Sequence, residues 1–170
     1  MNDLAEMFIN SVLNPKERTL SRICKYLWPE DILLDLEVAN KAQLFNEIGR
    51  HMEREHAMSR ESVATGLSRR EQLGSTGLGE GVAIPHARIE GLARIQIAYL
   101  RLKTPIPFDA PDGRPVSDII VILVPKQATQ EHLEILAETS QIFSDSKFRE
   151  RLHSCRHAIE VKSMIESYSW

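Results

Sequence analysis

Apolar positions along the chain fall into two periods, and each predicts a different kind of element. Leu4, Met7, Phe8 and Val12 recur at helical spacing and predict a short helix over residues 2–13, ended by the Asn14–Pro15 step. Residues 31–36 read as a strand. Asn40 then has the character of an N-cap, with Leu44, Phe45, Ile48 and Met52 as the buried stripe of the helix behind it. Ser59, with Glu61 in the following turn, opens a second helix running to about Arg70. Residues 82–84 form a short strand and 94–103 a longer one. Residues 118–124, Asp-Ile-Ile-Val-Ile-Leu-Val, are nearly continuous in apolar character and predict a central strand covered on both faces. Thr129 opens a helix to about Ser144, and two further helical stretches fill residues 146–168. Strands alternating with helices imply an α/β sandwich, a mixed β-sheet with helices on both faces. With no repeat, low-complexity tract or long linker, residues 19–170 read as one domain behind an N-terminal extension, residues 1–18.

Length and composition narrow the class. At 170 residues the chain has the size of one ordinary domain and can bury a substantial core. A net charge of −3 argues against direct nucleic-acid binding, which calls for a basic patch. Cys24 and Cys155 lie far apart in sequence and in no metal-ligand motif, which suits a reducing compartment. No 18-residue apolar run is present, and the first residues are polar and acidic where a signal peptide needs an apolar core. The expectation is a cytoplasmic protein with no direct membrane insertion.

The chemistry concentrates in residues 74–88, Gly-Ser-Thr-Gly-Leu-Gly-Glu-Gly-Val-Ala-Ile-Pro-His-Ala-Arg. Gly74, Gly77, Gly79 and Gly81 make a loop whose backbone N–H groups can approach an anion closely. Pro85 fixes the backbone immediately before His86 and restricts the direction in which the imidazole leaves. Ser75 and Thr76 add hydroxyl donors, while Arg70 and Arg88 flank the stretch with positive charge. This pattern suggests a nucleophilic histidine that briefly carries a phosphoryl group. A P-loop would need a lysine after the glycines, and none is there; a dinucleotide loop would run into a helix, not into Val-Ala-Ile-Pro. A surface hairpin with an incidental histidine stays open on spacing alone.

Helical phase separates two neighbouring arginines. Val63 and Leu67 mark the buried face of the helix from Ser59, and about 3.6 residues per turn bring Arg70 close to that face. Arg69 falls about 120° from Val63 and is expected in solvent. Arg70 is thus placed to lean over the glycine loop, or else to pair with a nearby acid. His132 lies in the first turn of the helix capped by Thr129, where the dipole and free N–H groups favour an anion; an ordinary, partly exposed helix histidine is the alternative. His51 and His56, five apart, point about 140° from each other and are expected not to share a metal. His153, Cys155 and His157 fit no zinc motif. No metal and no cofactor is expected.

The segment resembles the phosphorylation-site signature of the fructose/mannitol-type IIA proteins of the bacterial phosphotransferase system. It is most similar to the nitrogen-regulatory branch, IIA-Ntr, in which Leu-Gly-Ser-Thr-Gly (here Leu73–Gly77) precedes Ala-Ile-Pro-His (here Ala83–His86). The likeness extends over roughly residues 30–168, with further matches at Arg70-Glu71, Thr104-Pro-Ile-Pro-Phe-Asp109, Leu123-Val-Pro125 and His132-Leu133. The resemblance implies a phosphoryl group accepted on Nε2 of His86 from a phosphorylated HPr-like carrier. Arg70, His132, Ser75, Thr76 and Arg88 would hold the transferring oxygens. Potassium-transport and sensor-kinase proteins are the kinds of regulated partner it implies. Two other outcomes are carried: a sugar-specific IIA passing phosphate to a IIB domain, and a IIA-like binding module that is never phosphorylated. Ala87 stands where the family usually has glycine. A requirement for positive φ there would strain alanine; a regular strand would suit it better than glycine.

Overall fold

The computed structural model describes residues 21–127 and 129–168. The helix expected over residues 2–13 and the extension 1–18 lie outside the described residues. The chain enters through α1 (Arg22–Tyr26), whose cap Ser21 accepts the Ile23 N–H, and a 3-10 turn at Pro29–Asp31. β1 (Ile32–Leu36) follows, then α2 (Lys41–His56) and α3 (Arg60–Gln72). Both N-caps are those the sequence marks: Asn40 accepts the Gln43 N–H and Ser59 accepts the Ser62 N–H.

Three short strands come next, β2 (Gly77–Gly79), β3 (Val82–Ala83) and β4 (His86–Ile89). The long β5 (Gln96–Ile106) and β6 (Val116–Pro125) precede α4 (Gln130–Ser144), α5 (Ser146–His153) and α6 (Ala158–Glu166). The sheet order is β1-β5-β6-β3-β2, with β4 also on β6; β5 and β2 run antiparallel to their inner neighbours, the other pairs parallel.

β6 is the central strand its apolar run predicts. Ile120, Ile122 and Val124 face one layer, with Ile135, Ile142 and Phe143 of α4, Phe148 of α5 and Val161 of α6. Ile119, Val121 and Leu123 face the other, with Leu44, Phe45 and Ile48 of α2 and Val63 and Leu67 of α3. Alternating side chains of one strand therefore feed two separate cores.

β4, like the short α1 and β2, is an element that periodicity does not reveal. β3 and β4 both pair with β6 in one register, Ala83 opposite Ile119 and His86 opposite Ile122, so they are one strand interrupted at Ile84–Pro85. Proline removes a donor from the ladder, but its carbonyl still accepts the Ile122 N–H at 3.0 Å. The interruption breaks the apolar pattern without breaking the alignment. His86 thus sits on a strand tied to the middle of the sheet.

Candidate functional site

His86 opens β4 half-buried. Its Nδ1 lies 2.9 Å from the Ile84 carbonyl oxygen. A carbonyl can only accept, so Nδ1 carries the ring proton and Nε2 keeps its lone pair. The Arg70 Nε–H donates to that lone pair at 3.3 Å, and Arg70 Nη1 donates to the Gly74 carbonyl at 2.9 Å. Burial pushes the His86 pKa below its ordinary value of 6.5, and the charge of Arg70 adds to this; the Ile84 hydrogen bond opposes it without reversing it. The ring is a neutral, oriented nucleophile at neutral pH.

Arg70 stands at the last turn of α3, as its helical phase predicts. Gly66, one turn earlier, lets β4 come close: a Cβ there would meet Ile89 Cδ1 at 3.1 Å and Ala87 Cβ at 3.4 Å. His132 occupies the third position of α4 and is buried. Its Nδ1 accepts the Thr129 N–H at 3.1 Å, the bond a glutamate makes in a capping box. The ring proton is therefore on Nε2, and His132 lines the same cleft as His86.

That cleft holds about 640 Å³ and is lined by Arg69, Arg70, Arg88, His86 and His132, with no carboxylate among its lining residues. None of these three arginines forms a salt bridge among the described residues. Leu73, 84% exposed, and Leu133, 55% exposed, stand at its rim. An acid-free pocket whose guanidinium groups have no carboxylate partner suits an anion.

Arg69 is exposed, as its phase requires, and also lines the cleft, because an arginine at the end of a helix reaches well beyond its Cα direction. Two other expectations differ from the structure. Ser75 and Thr76 are not free donors: the Ser75 hydroxyl donates to the Phe108 carbonyl at 2.5 Å, and that of Thr76 to Glu71 Oε2 at 2.6 Å. They shape the loop instead, Ser75 Oγ accepting the Gly77 N–H and Glu71 Oε1 the Thr76 N–H. His51 and His56 do meet, each with Nε2 2.7 Å from Asp31 Oδ1. They converge despite their helical phase because α2 ends at His56, where Ala57 turns left-handed, and both rings reach the one Asp31 carboxylate.

No role is legible in the sequence for Glu71, a half-buried residue whose side chain also accepts from Lys41 Nζ at 3.0 Å. Its only signal was its place beside Arg70. His153 pairs with buried Asp118 at 2.6 Å, while Cys155 Sγ lies 3.2 Å from Met164 Sδ. Ala87 has no positive φ and is a regular, buried strand residue.

Comparison with known proteins identifies the family of the fold that carries this cleft. The family profile for "Phosphoenolpyruvate-dependent sugar phosphotransferase system, EIIA 2" matches residues 25–168, and the chain belongs to that family. Within it, the chain is similar to nitrogen regulatory proteins. It is 37% identical over 145 residues to the one from Pseudomonas aeruginosa, covering 85% of this chain and 94% of the relative. The crystal structure of Nitrogen Regulatory Protein IIA-Ntr from Neisseria meningitidis superposes with a TM-score of 0.80 at 46% identity, covering 84% of this chain and 98% of that one. The IIA mannitol structure from Escherichia coli shares the fold, with a TM-score of 0.67 at 20% identity over 81% of this chain and 97% of that one. Among the described residues no helix is long and apolar enough to cross a membrane.

Proposed function

We propose that this chain is a regulatory phosphocarrier that accepts a phosphoryl group on His86 Nε2 from a phosphorylated HPr-like protein. One observation carries the reading: the Ile84 carbonyl holds the ring proton on Nδ1, so the lone pair of Nε2 stands under Arg70 in an acid-free cleft. Nε2 attacks phosphorus in line, the donor's phosphorus–nitrogen bond breaks, and its electron pair returns to the donor imidazole. The His86 proton stays on Nδ1 throughout.

Arg70 exchanges the His86 lone pair for a phosphoryl oxygen as the new bond forms. His132 Nε2–H and the α4 N-terminus supply further donors, and Arg88 and Arg69 add positive charge. Ser75 and Thr76 act through the shape of the loop. The transferred group adds a charge of about −1.5 to −2 to a cleft rimmed by Leu73 and Leu133, which changes what can dock there. Similarity to nitrogen regulatory proteins favours partner regulation over sugar transport.

The test is incubation with phosphoenolpyruvate, enzyme I and an HPr-like carrier, followed by a search for an acid-labile, base-stable adduct. The adduct forms on the native chain and is absent from His86→Ala. Labelling that survives this substitution sinks the proposal. Onward transfer to a IIB domain in the same assay would instead mark a sugar-specific component.

A further inference from the structure

Asp31, His51 and His56 form a second constellation, apart from the phosphoryl site; none of the three lines the His86 cleft. Asp31 ends the 3-10 turn before β1 and is fully buried. His51 is 3% exposed and His56 21% exposed. One ligand atom from each, two imidazole nitrogens and a carboxylate oxygen, lies within 4.8 Å of the others. The rings meet edge to face, with centroids 6.4 Å apart and planes at 71°, so the two Nε2 atoms converge on Asp31 from different directions.

A second observation is independent of this convergence. Asp31 Oδ2 is buried and has no hydrogen-bond partner among the described residues. A carboxylate oxygen removed from water with no donor calls for a compensating charge. Arg54 does not supply it, since its Nη2 lies 3.3 Å from His51 Nδ1 and its Nε pairs with Glu55.

We propose that Asp31, His51 and His56 bind one zinc-class divalent cation, joining the turn before β1 to the C-terminal end of α2. Two imidazoles and a carboxylate are a borderline donor set suited to Zn²⁺ or Co²⁺, with a fourth position open to water on the exposed side of His56. Tetrahedral bonds of about 2.0–2.2 Å space ligand atoms roughly 3.3 Å apart, so the two 2.7 Å contacts open by roughly 0.6 Å. On binding, each ring proton moves from Nε2 to Nδ1, and exposed Arg54 leaves His51 for solvent. The two Nε2–H···Oδ1 hydrogen bonds give way to the metal–ligand bonds. The ion is structural and takes no part in phosphoryl transfer.

The experiment uses the full chain, tag-free and chelator-treated, titrated with Zn²⁺ in a calorimeter and with Co²⁺ in a spectrophotometer. The native chain binds one ion, shows the visible absorption of four-coordinate cobalt, and melts at a higher temperature with metal than without. His56→Ala, at a partly exposed position, keeps the fold by circular dichroism and lowers Zn²⁺ affinity at least about tenfold. His86→Ala binds Zn²⁺ as the native chain does. Absence of stoichiometric binding, full affinity in His56→Ala, or loss of binding in His86→Ala would each overturn the proposal. Its failure would leave the phosphocarrier reading untouched.

Discussion

His86 owes its tautomer, its orientation and its lowered pKa to two neighbours in the chain and to burial beside one in space. Ile84 offers the carbonyl that selects the tautomer, Pro85 stiffens the backbone between them, and Arg70 arrives from α3. Because burial first, and Arg70 next in the same direction, lower the His86 pKa, the folded chain binds this proton more weakly than the unfolded chain. Above pH 6.5 His86 is neutral in both states and has no effect on stability; as pH falls through the window beneath 6.5, its charging favours unfolding. A ¹H NMR titration of the His86 ring shows its midpoint below 6.5, and phosphoryl acceptance holds its rate until that lower midpoint. Arg70→Gln moves the midpoint upward.

His132 makes one observed contact and is assigned one proposed contact, and substitution can separate them. Its Nδ1 accepts the Thr129 N–H at the start of α4, and its Nε2–H is the proposed donor to a phosphoryl oxygen. His132→Ala loses both, slowing transfer roughly 10- to 150-fold, on the order of 1.5–3 kcal/mol, and lowering stability by about 0.5–2 kcal/mol. His132→Glu restores the capping carboxylate but sets a negative charge against the incoming anion. It melts above His132→Ala and accepts phosphate more slowly, an inverted order that a single structural role would not produce. Unchanged transfer in both variants would return His132 to a capping role alone.

At the scale of elements, β4 decides where the site stands. Ala87 is a mid-strand residue facing α3, its Cβ close to Gly66. Glycine there removes that contact and adds backbone freedom to the unfolded chain, so Ala87→Gly lowers stability by roughly 0.5–1 kcal/mol. A thermal melt of the two proteins checks this; a more stable glycine variant would mean that the strand is strained at this residue. The loop before it is held as firmly: a Cβ at Gly77 would sit 2.9 Å from Ala110 Cα and 2.8 Å from its Cβ, so only glycine passes under the segment after β5.

For the whole molecule, charge is distributed against its own average. The chain is net −3, yet its cleft holds three arginines without ion pairs among the described residues and no carboxylate in its lining. Leu73 and Leu133 at its rim are exposed apolar side chains, the kind that a docking partner covers. Leu73→Ala with Leu133→Ala leaves stability within about 0.5 kcal/mol, since neither is buried. The double variant raises the carrier concentration needed for half-maximal phosphorylation while leaving the saturated rate near native. A change in the saturated rate alone would place these leucines in the chemistry and not in docking.

Local patterns were enough for α2 to α6, the Asn40 and Ser59 caps, the two-faced β6 and the glycine loop ahead of His86, because each of them depends on residues within a turn or a ladder of one another; they were not enough for the short α1. The phase of Arg70 was legible for the same reason. What the sequence could not contain was the other half of each long-range contact. Pro85 hides β4 from periodicity, and only pairing with β6 shows that the strand continues. The hydroxyls of Ser75 and Thr76 look free until Phe108 and Glu71 are placed beside them. His51 and His56 look divergent until Asp31, twenty and twenty-five residues away, is packed between them. Periodicity reports which face of an element is buried, whereas hydrogen bonds and charges are settled by which atoms the packed layers bring within about 3 Å.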